Sequence, residues 1–143
     1  SFKVHNIEIT LDIPEDVEIY GILNEYAQVV LNLLTNAKDA IVMNSGKRVI
    51  AVSLKVIKEK VYLTVQDTGG GIDEDVLGHI FEPYFSSKEG GMGIGLYMSK
   101  MIVESSLQGY IEVCNESDGA KFSIVAPVLA NNNEYQKNTS SHQ

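Results

Sequence analysis

Two glycine clusters separated by a short aromatic block constrain this chain more than any other feature. The first is Asp67-Thr68-Gly69-Gly70-Gly71-Ile72 and the second is Gly90-Gly91-Met92-Gly93-Ile94-Gly95-Leu96, with Phe81-Glu82-Pro83-Tyr84-Phe85 between them. They hold seven of the twelve glycines, so the flexibility is concentrated rather than scattered. Glycine loses more conformational entropy on folding than any other residue, so such density points to backbone that takes positive φ or closely approaches a ligand. Helical spacing begins straight after the second cluster, and a helix start offers unbonded N–H groups to anions such as phosphate. Together these features point to a nucleotide. The common nucleotide motifs do not fit, however. A P-loop places Lys after its last glycine, and here Leu96 follows Gly95. A dinucleotide fingerprint follows a strand directly, and here Ser86-Ser87-Lys88-Glu89 precede the cluster.

In chain order, residues 7–12 alternate apolar and polar and predict a half-buried strand ended by Pro14, with a short extended piece possible at 17–20. His5 is expected at the strand edge. A helix is predicted from about 23 to 43, with Leu23, Ala27, Val30, Leu33, Leu34, Ala37 and Ile41 as its apolar face. Its other face carries Gln28, Asn32, Thr35, Asn36 and Asp39. Asn32 and Asn36 are one turn apart and point the same way. Asparagine is a poor helix former, so the pair either faces solvent or offers carboxamide oxygens to a hard cation or a phosphate.

Residues 49–57 and 61–67 predict an antiparallel hairpin linked by Lys58-Glu59-Lys60. Asp67 then stands where a strand runs into the first glycine loop, either as a turn cap or as an acceptor for an exocyclic amine. Asp73 reads as the cap of a short helix, with Ile80, Phe81 and Phe85 as an apolar anchor after it. Residues 86–93 have the composition of a mobile flap whose only cation is Lys88, either solvated or set against a terminal phosphate. A helix from Ile94 to about Ser106 and strands at 109–115 and 120–128 complete the pattern. The polar tail from 131 is expected to be disordered.

Composition removes several function classes. A net charge of −8 disfavours nucleic acid as a partner but leaves room for ATP carried with a divalent ion. The three histidines are far apart and no second cysteine exists, so no zinc pattern is present. Cys114 alone cannot form an internal disulfide, fits a reducing, cytoplasmic setting and is expected to be a buried strand residue. No run of about 20 apolar residues is available to span a bilayer, so direct membrane contact by this chain is not expected.

The order of these features resembles the ATP-binding catalytic domain of sensor histidine kinases, in the GHKL ATPase superfamily, over about residues 7–128. "NLLTNAKDA" at 32–40 is similar to the N box, "DTGGGI" to the first glycine box, "FEPYF" to the aromatic box and "GMGIGL" to the second glycine box. The "FEPYFSSK" wording looks most like kinases of the nitrogen-regulation type.

The resemblance implies an α/β two-layer sandwich, with a mixed, mostly antiparallel sheet of about five strands and about three helices on one face. It implies that Asn36 coordinates Mg²⁺ with Asn32 in support, and that Asp67 binds the adenine amino group. Gly69 and Gly71 would allow close backbone approach, and Ile72 would wall the base. Phe81 and Phe85 would anchor the lid, and Gly91, Gly93 and Gly95 would wrap the phosphates. Leu96 and Asp39 join the nucleotide-binding set, and Lys88 joins the catalytic one. Ala40 stands where some relatives carry an aromatic residue that packs on adenine, and Tyr97 where many have glycine.

The implied cofactors are ATP and Mg²⁺. The implied partners are a phosphoacceptor histidine domain of the same kinase and, through it, a response regulator. Residues 1–130 would form the catalytic unit, cut from a longer kinase, and 131–143 a tail. The alternatives are a GHKL ATPase that hydrolyses ATP for conformational work and a non-catalytic nucleotide-sensing module.

Overall fold

The computed structural model describes residues 6–13, 21, 23–85 and 94–129. The expectations for His5, for 17–20, for the flap with Lys88, Gly91 and Gly93, and for the tail lie outside these residues.

The elements are β1 (Glu8–Asp12), α1 (Leu23–Val42), β2 (Val49–Ile57), β3 (Lys60–Asp67), α2 (Glu74–Leu77), α3 (Gly95–Ser106), β4 (Tyr110–Glu116) and β5 (Gly119–Pro127). They build a five-stranded sheet in the order β1-β2-β3-β5-β4. Only β1 and β2 run parallel, and α1 supplies the crossover that a parallel pair needs. The other three pairs are antiparallel. The fold is the mixed sandwich expected from sequence.

Strand alternation sets the sheet's inner face. Val52, Val65 and Phe122 stand in one cross-strand row, and Leu63 and Ile124 pair in the next. All belong to one core cluster with Leu33 and Ile41 of α1 and Val103 of α3. The β2–β3 link is a two-residue turn, Lys58-Glu59, with both φ values positive at 50° and 66°. Lys60, expected in the link, opens β3, because a tight hairpin of this hand needs only two residues at positive φ.

Other expectations need correction. In α1 the buried row is Val29, Leu33, Ala37 and Ile41, while Leu23 is 80% exposed and Ala27 is also exposed. Tyr26, Val30 and Leu34 are only half-buried, on the flank of the core. The helix is therefore turned relative to the predicted face, because it packs on both the sheet and α3. The same double packing half-buries Asn32, Thr35, Asn36 and Asp39.

In β1 all five residues are exposed and only Ile7, just before it, is buried. Ile9 and Leu11 share the face of Ile50 and Val52, but they occupy an edge strand. Cys114 is exposed rather than buried, because it alternates with Val113 and points away from the core on the other edge strand. Asp73 makes no side-chain cap bond. Its backbone carbonyl accepts from the N–H groups of Val76 and Leu77, at 2.9 Å each.

Candidate nucleotide-binding site

The site is assembled at one end of the inner face. Asp67 pairs with Ile50 across to β2, and Asn115 pairs with Ala120 between β4 and β5. The β3–β5 ladder ends at Gln66 and Lys121, so Asp67 and Ala120 stand side by side as the ladder opens. Asp67 is 3% exposed. Its Oδ1 accepts from the N–H of Gly69 at 2.8 Å and from the N–H of Ala120 at 3.3 Å.

Burial pushes the Asp67 carboxyl above the usual carboxylate range. The two backbone N–H groups partly oppose that shift, and the charge of Asp118 adds to it. Among the described residues no side-chain oxygen or nitrogen is both buried and unpartnered. Oδ2 takes neither of these two bonds. The sequence left Asp67 as either a turn cap or a ligand group. The geometry bears out the turn cap, made through Oδ1, and Oδ2 takes no part in it.

The glycine loop after Asp67 is held from three sides. Thr68 Oγ1 donates to the carbonyl of Lys47 at 2.5 Å and accepts from the N–H of Val49 at 3.0 Å, tying the loop to the start of β2. At Gly69 a Cβ would lie 2.7 Å from Ala40 Cβ and 2.8 Å from the Ala40 carbonyl carbon, so α1 leaves no room for a side chain. Gly70 and Gly71 take φ of 92° and 85°, a region that favours glycine. On the third side the N–H of Gly70 donates to the Asp118 carbonyl at 2.8 Å. The Asn115 side chain meets Ile72 twice: Oδ1 accepts from its N–H at 2.8 Å, and Nδ2 donates to its carbonyl at 2.7 Å. Ile72 is half-buried against the core cluster, with its side chain on the loop that follows Asp67.

The other half of the site is the contact of α1 with α3. Asn32 Nδ2 donates to Ser99 Oγ at 2.9 Å, and a Cβ at Gly95 would lie 2.7 Å from Asn32 Oδ1. Gly95 thus lets the first turn of α3 settle on Asn32. The residue before α3, Ile94, provides no side-chain cap bond, so the first-turn N–H groups keep their affinity for an anion. Asn36 stands one turn beyond Asn32, half-buried, with Asp39 on the next turn. Leu96 packs against the core. Among the described residues no group of three or more His, Cys, Asp or Glu could hold a metal ion by itself. A cation here would draw on carboxamide oxygen and on the oxygens of its ligand.

The aromatic block anchors as expected. Ile80 is buried, Phe81 meets Phe122 edge-on with ring centroids 6.3 Å apart, and Phe85 lies 5.7 Å from the His79 ring. A cavity of about 410 Å³ lies between this block and α3, lined by Phe81, Pro83, Tyr97 and Met101 among others. It includes neither Asp67 nor Asn36 and is separate from the site described above. Sequence reasoning missed Ser99 and Asn115, whose partners lie 67 and 43 positions away. The one local signal was an asparagine near the end of a strand, where asparagine is disfavoured.

Comparison with known proteins places the chain in a family and matches its fold. A family model described as "Histidine kinase-, DNA gyrase B-, and HSP90-like ATPase" matches residues 21–130. The chain is 36% identical over 135 residues to the two-component sensor PprA of Pseudomonas aeruginosa, covering 90% of this chain and 14% of that protein. It is 35% identical over 134 residues to sporulation kinase E of Bacillus subtilis, covering 92% of this chain and 18% of that protein. The chain therefore spans less than a fifth of the length of these two relatives. Among solved structures, the nucleotide-free catalytic domain of histidine kinase ThkA superposes with a TM-score of 0.77 at 26% identity, over 88% of this chain and 82% of that one. Full-length ShkA in complex with AMPPNP superposes with a TM-score of 0.75 at 25% identity, over 90% of this chain and 27% of that one.

Proposed function

The chain belongs to the family of histidine kinase-, DNA gyrase B- and HSP90-like ATPases, and on that premise we propose that it is the ATP-binding catalytic domain of a sensor histidine kinase. In this reading residues 1–130 form the catalytic unit and 131–143 a tail. The unit binds Mg·ATP and delivers the γ-phosphoryl group to a histidine on a phosphoacceptor domain of the same kinase. That domain then passes the group to a response regulator in the cytoplasm, where ATP is supplied. No helix among the described residues is long and apolar enough to cross a membrane.

The observation that carries the reading is the Asp67 carboxylate, buried and fixed through Oδ1, with Oδ2 outside both of those bonds. An adenine amino group is a donor that matches Oδ2, and Ile72 offers an apolar wall beside it. Asn36 would hold the metal through its carboxamide oxygen, with the triphosphate and water supplying the remaining ligands. When bound, Mg²⁺ neutralises phosphate charge. Gly95 and the first turn of α3 would receive phosphate oxygens, together with Gly91, Gly93 and Lys88 of the flap. Phe81 and Phe85 pack against the core just before the flap and would anchor it.

Asn32 favours transfer over hydrolysis. Hydrolysing relatives carry a glutamate one turn before the metal-binding asparagine, and that glutamate activates water. Here the position holds a neutral carboxamide whose nitrogen donates to Ser99. A carboxamide cannot act as a general base, so the residues present position the substrate and stabilise charge. The chain alone should therefore release little phosphate from Mg·ATP, yet phosphorylate a supplied phosphoacceptor domain from its parent kinase. Rapid steady-state hydrolysis by the chain alone would favour the hydrolase reading. Calorimetry showing no magnesium-dependent heat with ATP would favour a sensing module.

A further inference from the structure

We propose that Asn115 is the positioning residue that sets the base-reading loop. It holds the Ile72 peptide at a fixed height above the sheet, so that Ile72 and Asp67 Oδ2 face the same ligand ring. The inference rests on the ATP reading above and deepens it.

The contact has the form of a strand pair made by a side chain. Ile72 presents an N–H and a carbonyl to the same neighbour, and a carboxamide offers an acceptor and a donor at matching spacing whatever the pH. Asn115 supplies both, at 2.8 and 2.7 Å. The surrounding backbone is built around this contact. A Cβ at Gly71 would lie 3.0 Å from Asn115 Oδ1, so glycine there serves the approach of the carboxamide as well as the φ of 85°. The same hairpin holds the loop at two further points: the Asp118 carbonyl receives the Gly70 N–H, and the Ala120 N–H reaches Asp67 Oδ1. A Cβ at Gly119 would lie 1.7 Å from the Asp67 carbonyl oxygen, so the hairpin tip must press directly on the acidic residue.

Asn115 itself is exposed. The loop's geometry therefore depends on a residue that is not part of the core, so its loss should loosen the loop without unfolding the domain.

The test uses the full chain and two variants, Asn115→Ala and Asn115→Asp. Amide exchange at Ile72 should quicken at least about tenfold in both, with the thermal midpoint little changed, since exchange reports local opening. Affinity for Mg·ADP should fall about tenfold in Asn115→Ala, the scale of one to two neutral hydrogen bonds. Asn115→Asp keeps the size but turns a second acceptor toward the Ile72 carbonyl, so it should bind no better than alanine. Wild-type affinity in either variant, or a lowered midpoint with affinity intact, would overturn the assignment, because bulk or general stability would then explain the residue. Failure of the unmutated chain to bind Mg·ADP would instead strike the ATP reading, and Ile72 exchange would still report whether the clamp exists.

Discussion

Replacing Asp67 with asparagine should move ligand affinity and unliganded stability in opposite directions. In the native chain Oδ1 accepts from Gly69 and Ala120, and Oδ2 takes neither bond; in the reading above it is the atom that meets the base. A carboxamide in this position must keep its oxygen on the two N–H groups, which turns its NH₂ outward. A donor then faces the adenine amino group where a charged acceptor stood. The loss should match a hydrogen bond to a charged group, about 1.5–3 kcal/mol, or roughly 10- to 150-fold in Kd.

Stability follows from the raised pKa of Asp67, which burial causes. The folded state holds this proton more tightly than the unfolded state. Stability from this group is therefore present at low pH and declines as pH rises from the ordinary carboxylate value of 3.8 through the raised one. A neutral carboxamide has no such decline, so Asp67→Asn should be the more stable protein above that window and lose the advantage below it. Titration calorimetry with Mg·ATP at pH 7.5 measures the first effect, and urea unfolding of the ligand-free chain across pH 4–8 the second. Unchanged affinity would show that Asp67 serves only the turn. A variant less stable at pH 7.5 would show that the buried charge is better compensated than its two N–H bonds suggest.

Three further substitutions test the packing beside the site, the core beneath α1 and the turn at the far end of the β2–β3 hairpin. Gly69→Ala would place a methyl group 2.7 Å from Ala40 Cβ and against the α1 backbone, costing about 1–3 kcal/mol and weakening nucleotide binding as the loop shifts; chemical unfolding and calorimetry read both. Leu33→Ala removes a side chain with 0% exposure between α1 and the sheet and should cost about 2–5 kcal/mol in urea unfolding. Glu59→Gly should stabilise by about 0.5–1 kcal/mol in thermal unfolding, because Glu59 holds a φ of 66° that glycine adopts without strain.

The two hairpins were legible because strand alternation and turn length are local. Val49–Ile57 is assigned without error, and the other hairpin strands shift by one residue. The existence of α1 was equally plain, but not which side it buries. That depends on α3, more than fifty positions away, and on where the sheet ends. The exposure of β1 and Cys114 follows from their place on edge strands, which alternation does not reveal. At the site, Asp67 and the glycines announced themselves by composition. Asn115 did not, because its role exists only once the β4–β5 hairpin is folded beside the loop. The pairing of Asn32 with Ser99 was hidden for the same reason.

The most direct measurement is a crystal structure of the chain with Mg²⁺ and a non-hydrolysable ATP analogue. The base should donate its amino group to Asp67 Oδ2 against Ile72, with the metal on Asn36 and the phosphates at the start of α3. Density for the analogue elsewhere, with none beside Asp67, would contradict the account.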